Sequence, residues 1–449
     1  MKIPSWLIRP FTTLVERYYP DPFVFAVLMS LLTFVLALIA TDATPASALQ
    51  SWGDGLPKLL AFTAQLSITL LGAHALAHTD RVQRFLAAVG SLPRSANAAY
   101  ALVALTAGVG SLIAWSLGLV AGATIARQVA IQCSKRGIRV HYPLLVASAY
   151  GGFVVWHMGY SASAALFVAT PGHSLEAEMG ILPITETIFT IQNGFLALVT
   201  LVAVAVLCPM MRPSEEEILE IDPALLEESE TLDVPTVIPE TPAQRLENMR
   251  SLSSALGLAL VAYIAYSFYQ KGFYLTLDIV NWSFVGAGLL LARSPLHYVR
   301  LIENASSTVG PIILQYPFYA GILGMMIATG LVTVISDWFA SVTTAETLSV
   351  GAFLSAGLVN MFIPSGGGQW AVQGPIFIEA ANQLQVDHSV IVLAIAYGDQ
   401  WTNMVQPFWT IPLLAIAGLQ LRQIMGYTVM IFFVTGAIFI TGLLLMGAG

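Results

Sequence analysis

Charge is what this chain most lacks. Only 10% of its 449 residues are Asp, Glu, Lys or Arg, against 57% hydrophobic, and the mean hydropathy is +0.76. Soluble domains carry about 25% charged residues. A soluble interior does not explain such a composition, and an all-α polytopic membrane protein is expected. Lys and Arg are missing altogether between Arg300 and Arg422, a run of 121 residues. The net charge of −8 has no bearing on nucleic acid, because the acids are concentrated in one segment, and no nucleic-acid partner is expected. Two cysteines, Cys133 and Cys208, provide neither a disulfide framework nor a metal spacing. Catalytic signatures are absent too: there is no G-x-S-x-G, no H-E-x-x-H and no intramembrane Asp pair.

What is present is a succession of apolar runs whose flanking charges set a topology. Residues 1–21 read as an amphipathic surface segment, with Trp6, Leu7, Phe11 and Leu14 facing lipid. Pro22–Ala40 is too long for a signal core and reads as an uncleaved first span. Further spans are expected at about 57–77, 184–207, 252–270, 279–292, 306–327 and 424–446, with an interfacial helix at 328–346. Arg81, Arg84 and Arg94 mark a cytoplasmic loop by the positive-inside rule. The N-terminus is then cytoplasmic and the C-terminus periplasmic. Residues 95–126 carry no charge and have basic flanks on both sides, although two full spans would need about 40 residues. They suit a re-entrant helical hairpin entering from inside. Residues 347–378, again without charge but flanked by acids, suit a second hairpin entering from outside. Two discontinuous helices are expected, at 143–170 with a break over Trp156–Ser163 and at 389–418 with breaks at Gly398–Asn403 and at Gln406-Pro407.

These features recur. Ala149-Tyr150-Gly151 returns as Ala396-Tyr397-Gly398, and Gln65 returns as Gln315 at nearly the same offset. With hairpins entering from opposite sides, the chain reads as an inverted repeat: a first unit in 1–208, an acidic hydrophilic linker at 209–250, and a joining span plus second unit in 251–449. Paired interrupted segments of this kind point to a transporter binding site.

The breaks supply the candidate site. Half-helix starts expose backbone N–H groups and positive dipole ends, which hold anions without a basic side chain. Ser365, Gly366, Gly367, Gly368 and Gln369 form the tip of the second hairpin, and Trp115, Ser116 and Gly118 that of the first. Ser161 and Ser163 in one broken helix, and Trp401 and Asn403 in the other, complete the expected substrate set. Glycines also serve close helix packing. Asp399 is an ionisable group inside a membrane segment and so a functional candidate. Burial penalises its charge, which suits a proton carrier, while neighbouring carbonyls and Asn403 would suit sodium. His157, the other intramembrane titratable group, at the matching break of the first half, and Asn360 join it as candidate coupling residues. His74 and His78, at i and i+4, resemble a metal pair without a third ligand. No metal or other cofactor is expected, apart from Na⁺ or H⁺ as coupling ion.

Five stretches carry a resemblance: Tyr19-Pro-Asp-Pro-Phe, Trp52-Gly-Asp-Gly, Gln315-Tyr-Pro-Phe-Tyr-Ala-Gly-Ile, Ile363-Pro-Ser-Gly-Gly-Gly-Gln-Trp and Ala396-Tyr-Gly-Asp-Gln-Trp. Over nearly its whole length the chain resembles the AtoE-type short-chain fatty acid transporters of bacteria. The resemblance implies a homodimer in the bacterial inner membrane. It also implies small monocarboxylates, such as butyrate or acetoacetate, and secondary rather than ATP-driven transport. The expected function is cation-coupled symport by alternating access. The alternatives are a membrane-embedded acyl-handling enzyme and a passive anion channel.

Overall fold

A computed structural model describes residues 22–222, 241–306, 309–361, 363–406 and 408–447. The amphipathic segment expected at 1–21, the linker's core at 223–240 and Pro407 lie outside the described residues. Among those described, every regular element is a helix, and seven helical stretches are long and apolar enough to cross a bilayer. The protein is a multi-pass, all-α membrane protein.

The first half runs α1 (Pro22–Ala40), α2 (Pro45–Gly55), α3 (Leu60–Ala77), α4 (Asp80–Gly90), α5 (Ala96–Ile113), α6 (Trp115–Lys135), α7 (Tyr142–Phe153), α8 (Ser163–Ala169) and α9 (Ile191–Met210). The second half runs α10 (Arg250–Lys271), α11 (Leu277–Leu291), α12 (Pro295–Ser306), α13 (Gly310–Ala328), α14 (Leu331–Val342), α15 (Leu348–Asn360), α16 (Gly366–Leu384), α17 (His388–Thr402), α18 (Thr410–Ala417) and α19 (Leu421–Gly447). Element order recurs from α3–α9 to α13–α19. Gln65 and Gln315 each fall at the sixth residue of their helix.

Both charge-free segments are helix–break–helix units. In the first the chain turns at Ala114, whose backbone is extended (φ −154°, ψ 134°). The arms α5 and α6 run antiparallel in close contact because Gly118 faces Ser111 and Gly122 faces Ala107. Small residues at such a seam let two backbones approach. In the second, Ser365 (φ −152°, ψ 111°) caps α16, its hydroxyl accepting Gly368 N–H at 3.4 Å. An N-cap serine satisfies one of the donors that a helix start leaves over.

The first broken helix separates α7 from α8 over Val154–Ala162, with a single 3-10 turn at Trp156–Met158. Of the two breaks expected in the second, the stretch from Gly398 is still helical, and the chain opens where Gln406 lies. α17 continues through Gly398 and Asp399 to Thr402, and the gap lies between Thr402 and Thr410. Gly398 does not interrupt the helix. It lets α17 lie against the Phe353 carbonyl of α15, where a Cβ would collide. The short helices α2, α4 and α12 were not expected; Thr44 and Ser47 form a capping box with Pro45 at the start of α2.

Asp80 and Arg293 join the start of α4 to the α11–α12 connection through both carboxylate oxygens, with Nη2–Oδ1 at 2.6 Å. This bond puts the loops after α3 and α11 at one end of the molecule. Helices α3 and α13 then face the two tips, α3 against α6 and α13 against α16.

Candidate functional site

Between those tips lies a cavity of about 300 Å³. Its wall is mostly apolar: Leu66 and Leu70 of α3, Leu119 and Val120 of α6, Ile312 of α13, Phe408, and Ile416 of α18. Most of its polar groups come from the breaks. Trp115 and Ser116 stand at the start of α6; Ser365, Gly366 and Gly367 at the start of α16; and Trp156 and Ser163 at the first break. Gln315 and Tyr316 of α13, His74 of α3 and Trp409 join them, and among the described residues no Lys or Arg lines the cavity. Ser116 Oγ, Trp156 Nε1 and Trp409 Nε1 are buried without a hydrogen-bond partner among the described residues.

Two helix starts thus meet one space. Trp115 N–H donates to Ser161 Oγ (3.0 Å), but the next N–H groups of α6 have no intrahelical acceptor. At α16 the same holds for Gly366 and Gly367, since Ser365 takes the N–H groups of Gly368 and Gln369. The Tyr316 hydroxyl bonds Ser365 Oγ and fixes the tip against α13.

Gly366 joins this cavity to a buried polar cluster. A Cβ there would collide with His157 Cε1, and it would lie 2.6 Å from Ser163 Oγ and 2.9 Å from the Trp156 ring. His157 Nδ1 and Asp399 Oδ2 are 2.8 Å apart, with side-chain exposures of 0% and 1%. On the other side of the ring, Nε2 accepts Ala164 N–H at 3.0 Å and has Ser163 Oγ at 3.2 Å. A backbone N–H only donates, so Nε2 carries the lone pair and Nδ1 the proton, which is donated to Asp399. Gln400 Oε1 accepts His157 N–H at 2.9 Å. Asn360 Nδ2 reaches the Asp399 carbonyl (2.8 Å), Thr402 Oγ1 (2.9 Å) and Asn403 Oδ1 (2.7 Å). Asp399 Oδ1, Asn360 Oδ1 and Gln369 Oε1 are buried acceptors without a partner among the described residues.

A sequence profile described as "Short chain fatty acid transporter" matches residues 5–446. The chain belongs to the short-chain fatty acid transporter family. Two relatives provisionally named short-chain fatty acid transporters agree. That of Escherichia coli K12 is 41% identical over 437 residues, covering 97% of this chain and 98% of the relative. That of Haemophilus influenzae Rd is 37% identical over 446 residues, covering 98% and 99%. In fold the chain is similar to the Alcanivorax borkumensis YdaH transporter, whose topology is described as unusual (TM-score 0.59, 16% identity, 95% and 98% covered). It is also similar to Neisseria gonorrhoeae MtrF, described within a class of antimetabolite efflux pumps (TM-score 0.51, 15% identity, 98% and 97% covered).

Within this short-chain fatty acid transporter family member, the residues expected at the site divide into three groups. Trp115, Ser116, Ser163, Ser365, Gly366 and Gly367 line the cavity. His157, Asp399, Asn360 and Asn403 meet in the adjoining polar cluster, while Ser161 supports the first tip from behind. Four others are placed in the packing instead. Gly118 lies against Ser111, and Gly368 against the Tyr319 ring. Gln369 Nε2 donates to Ala356 O (2.7 Å) and Gln373 Oε1 (2.9 Å), tying α16 to α15. Trp401 stacks on Phe432 and Phe353, and its Nε1 donates to the Phe432 carbonyl at 2.7 Å. Tyr316, Phe408, Trp409 and Gln400 were not anticipated. Phe408 and Trp409 lie in the break just after the Asp-Gln-Trp motif and Gln400 lies within that motif, which was the signal available for the last three.

Proposed function

We propose that this transporter carries a short-chain monocarboxylate by cation-coupled symport with alternating access. The observation that carries the reading is the cavity itself. It has an apolar wall suited to a short acyl chain and two helix starts with N–H groups left unbonded, suited to a carboxylate, and among the described residues no Lys or Arg lines it to hold the anion irreversibly. The carboxylate sits at the Ser365–Gly367 tip opposite Trp115 and Ser116, and the alkyl chain lies among Leu66, Leu119 and Ile312. Butyrate and acetoacetate are the substrates proposed. The His157–Asp399 pair, one side chain away, is the coupling site.

The inverted relation of the two halves, the re-entrant character of the hairpins and the homodimer belong to the same proposal. So does an inner-membrane placement with the N-terminus cytoplasmic. The recurring order of α3–α9 and α13–α19 supports it, as does the Asp80–Arg293 bond joining two loops expected inside.

Uptake of labelled acetate, butyrate and acetoacetate into proteoliposomes tests the reading. Accumulation against a gradient is expected, and Ser365→Trp, which fills the tip, is expected to reduce it to background. Equilibration without accumulation would favour a channel, and hydrolysis of a short-chain ester or thioester by the purified protein would favour an enzyme.

A further inference from the structure

The coupling cluster contains two titratable side chains, and their bonding assigns them different tasks. His157 uses both ring nitrogens: Nδ1–H donates to Asp399 Oδ2 at 2.8 Å, and Nε2 accepts Ala164 N–H at 3.0 Å. Adding a proton to Nε2 would set N–H against N–H and strip the start of α8 of its acceptor. Asp399 has a free position. Its Oδ1 is buried and has no partner among the described residues, while Oδ2 is held by His157.

We infer that the coupling ion is a proton taken up at Asp399 Oδ1, and that His157 stays neutral and passes the charge state of Asp399 to the substrate tip. This rests on the transport reading above. On protonation one O–H bond forms at Oδ1, and the carboxylate becomes a neutral acid that still accepts from His157 Nδ1–H. The proton comes from one aqueous side and leaves to the other, so no further reactant is required.

The path from this proton to the substrate is short. The Asp399 carboxylate bonds one edge of the imidazole, and Gly366 abuts the ring at Cε1. Gly366 opens α16 and contributes one of the N–H groups proposed to hold the substrate carboxylate. A buried Asp399 carboxylate therefore repels a substrate anion across a single ring, in an interior where such repulsion is poorly screened. Neutralising it removes the repulsion, and by linkage the bound anion raises proton affinity to the same degree.

Few other charged groups face the pair. Tyr316 of α13 contributes a phenol at the tip, and Tyr150 of α7 bonds the Asn403 carbonyl at 2.7 Å. Helices α8 and α15 carry no charged side chain; Glu379 lies at the far end of α16, and Arg422 at the start of α19. Serine 163 sits 3.2 Å from Nε2 and lines the cavity, so the ring also touches the space through its hydroxyl.

The test uses the full chain in proteoliposomes with labelled butyrate, measuring concentrative uptake under a pH or Na⁺ gradient and counterflow without either. Wild type is expected to concentrate butyrate under an inward proton gradient and to ignore Na⁺. Asp399→Asn is expected to lose concentrative uptake but keep counterflow, with an affinity that no longer varies with pH. In wild type that affinity should weaken by about tenfold to a hundredfold as external pH rises, the range usual for coupled sites. His157→Gln supplies an amide N–H and a carbonyl oxygen in place of Nδ1–H and Nε2. It is expected to be slower yet still proton-driven, whereas His157→Ala loses both counterflow and pH dependence. Loss of proton coupling in His157→Gln with normal counterflow would make His157 the carrier and overturn the assignment. A Na⁺ requirement in wild type, or an unchanged pH profile in Asp399→Asn, would do the same. Absence of carboxylate uptake and counterflow in wild type would instead sink the transport reading itself.

Discussion

Gly366 has no room for a side chain, and this makes it the most sensitive residue of the tip. His157, Ser163 and Trp156 close over the place where its Cβ would stand. Gly366→Val therefore has to push the tip away from the ring, and a misplacement of about 1 Å at such a site is worth on the order of a hundredfold in rate. Butyrate uptake by this variant is expected to fall by that order. Its chromatographic profile in detergent should stay monodisperse, because the helices on either side are anchored elsewhere. Uptake within a factor of about two of wild type would mean that the tip does not touch substrate. At this scale the sequence was informative but incomplete. Glycine triplets, buried aspartate and membrane histidine each announce themselves by type. That His157 and Asp399 meet across 242 positions was not legible, since neither residue carries any mark of its partner. Trp401 misled because an indole suits an apolar wall and a packed seam equally well. Its Nε1 bond to the Phe432 carbonyl decides for the seam.

Helices were legible where their periodicity and flanking charges agreed, and poorly so where glycine had two meanings. Ala114 and Ser365 interrupt the helix within the charge-free segments: both have extended backbone, and Ser365, just after Pro364, caps the helix that follows. Gly398 does not break it, because α15 lies close enough to need the missing Cβ. Short amphipathic helices such as α4 escaped notice since they have no span-length apolar run. Yet α4 carries the clearest pH-sensitive contact outside the membrane. The Arg293 guanidinium, hydrogen-bonded to Asp80, holds its carboxyl below the ordinary value of 3.8. A folded-state value lowered in this way contributes stability that is fully present above pH 3.8 and is lost as the pH falls through the lowered value. With 44% of Arg293 and 26% of Asp80 exposed, the contribution is screened. Exposed pairs of this kind are worth about 1 kcal/mol or less. Asp80→Asn is expected to lower the melting temperature slightly at pH 7, with the difference from wild type closing as the pH falls below 3.8 and through the lowered value. A gap that persists unchanged at low pH would show that packing, not charge, joins α4 to the α11–α12 connection.

The molecule as a whole is laced crosswise by its repeated Ala-Tyr-Gly motif. Tyr150 of the first half donates to the Asn403 carbonyl at the second break, at 2.7 Å. Tyr397 of the second half donates to Asn193 Oδ1 at 2.8 Å, and Asn193 Nδ2 holds the Met158 carbonyl at the first break, at 3.0 Å. Each half therefore fixes the irregular backbone of the other, where peptide groups lack helix partners and lipid offers none. Neither tyrosine lines the cavity. Replacing either with phenylalanine keeps the ring but removes the donor: Tyr397→Phe leaves Asn193 Oδ1 unpaired, at about 1–3 kcal/mol, while Tyr150→Phe costs less because the Asn403 carbonyl keeps Gln406 N–H at 3.3 Å. Tyr150→Phe and Tyr397→Phe are each expected to lower the melting temperature of the purified protein. The two ties share no partner, so their effects should add in the double variant to within about 0.5 kcal/mol. Transport should respond in rate more than in affinity: the breaks must reset during each cycle, whereas the substrate contacts themselves stay intact. A butyrate KM near wild type with a reduced maximal rate is the expected pattern in all three variants. A raised KM with an unchanged maximal rate would place the tyrosines' influence on the binding tip itself, and the two breaks would then be coupled through the cavity, not through this lacing.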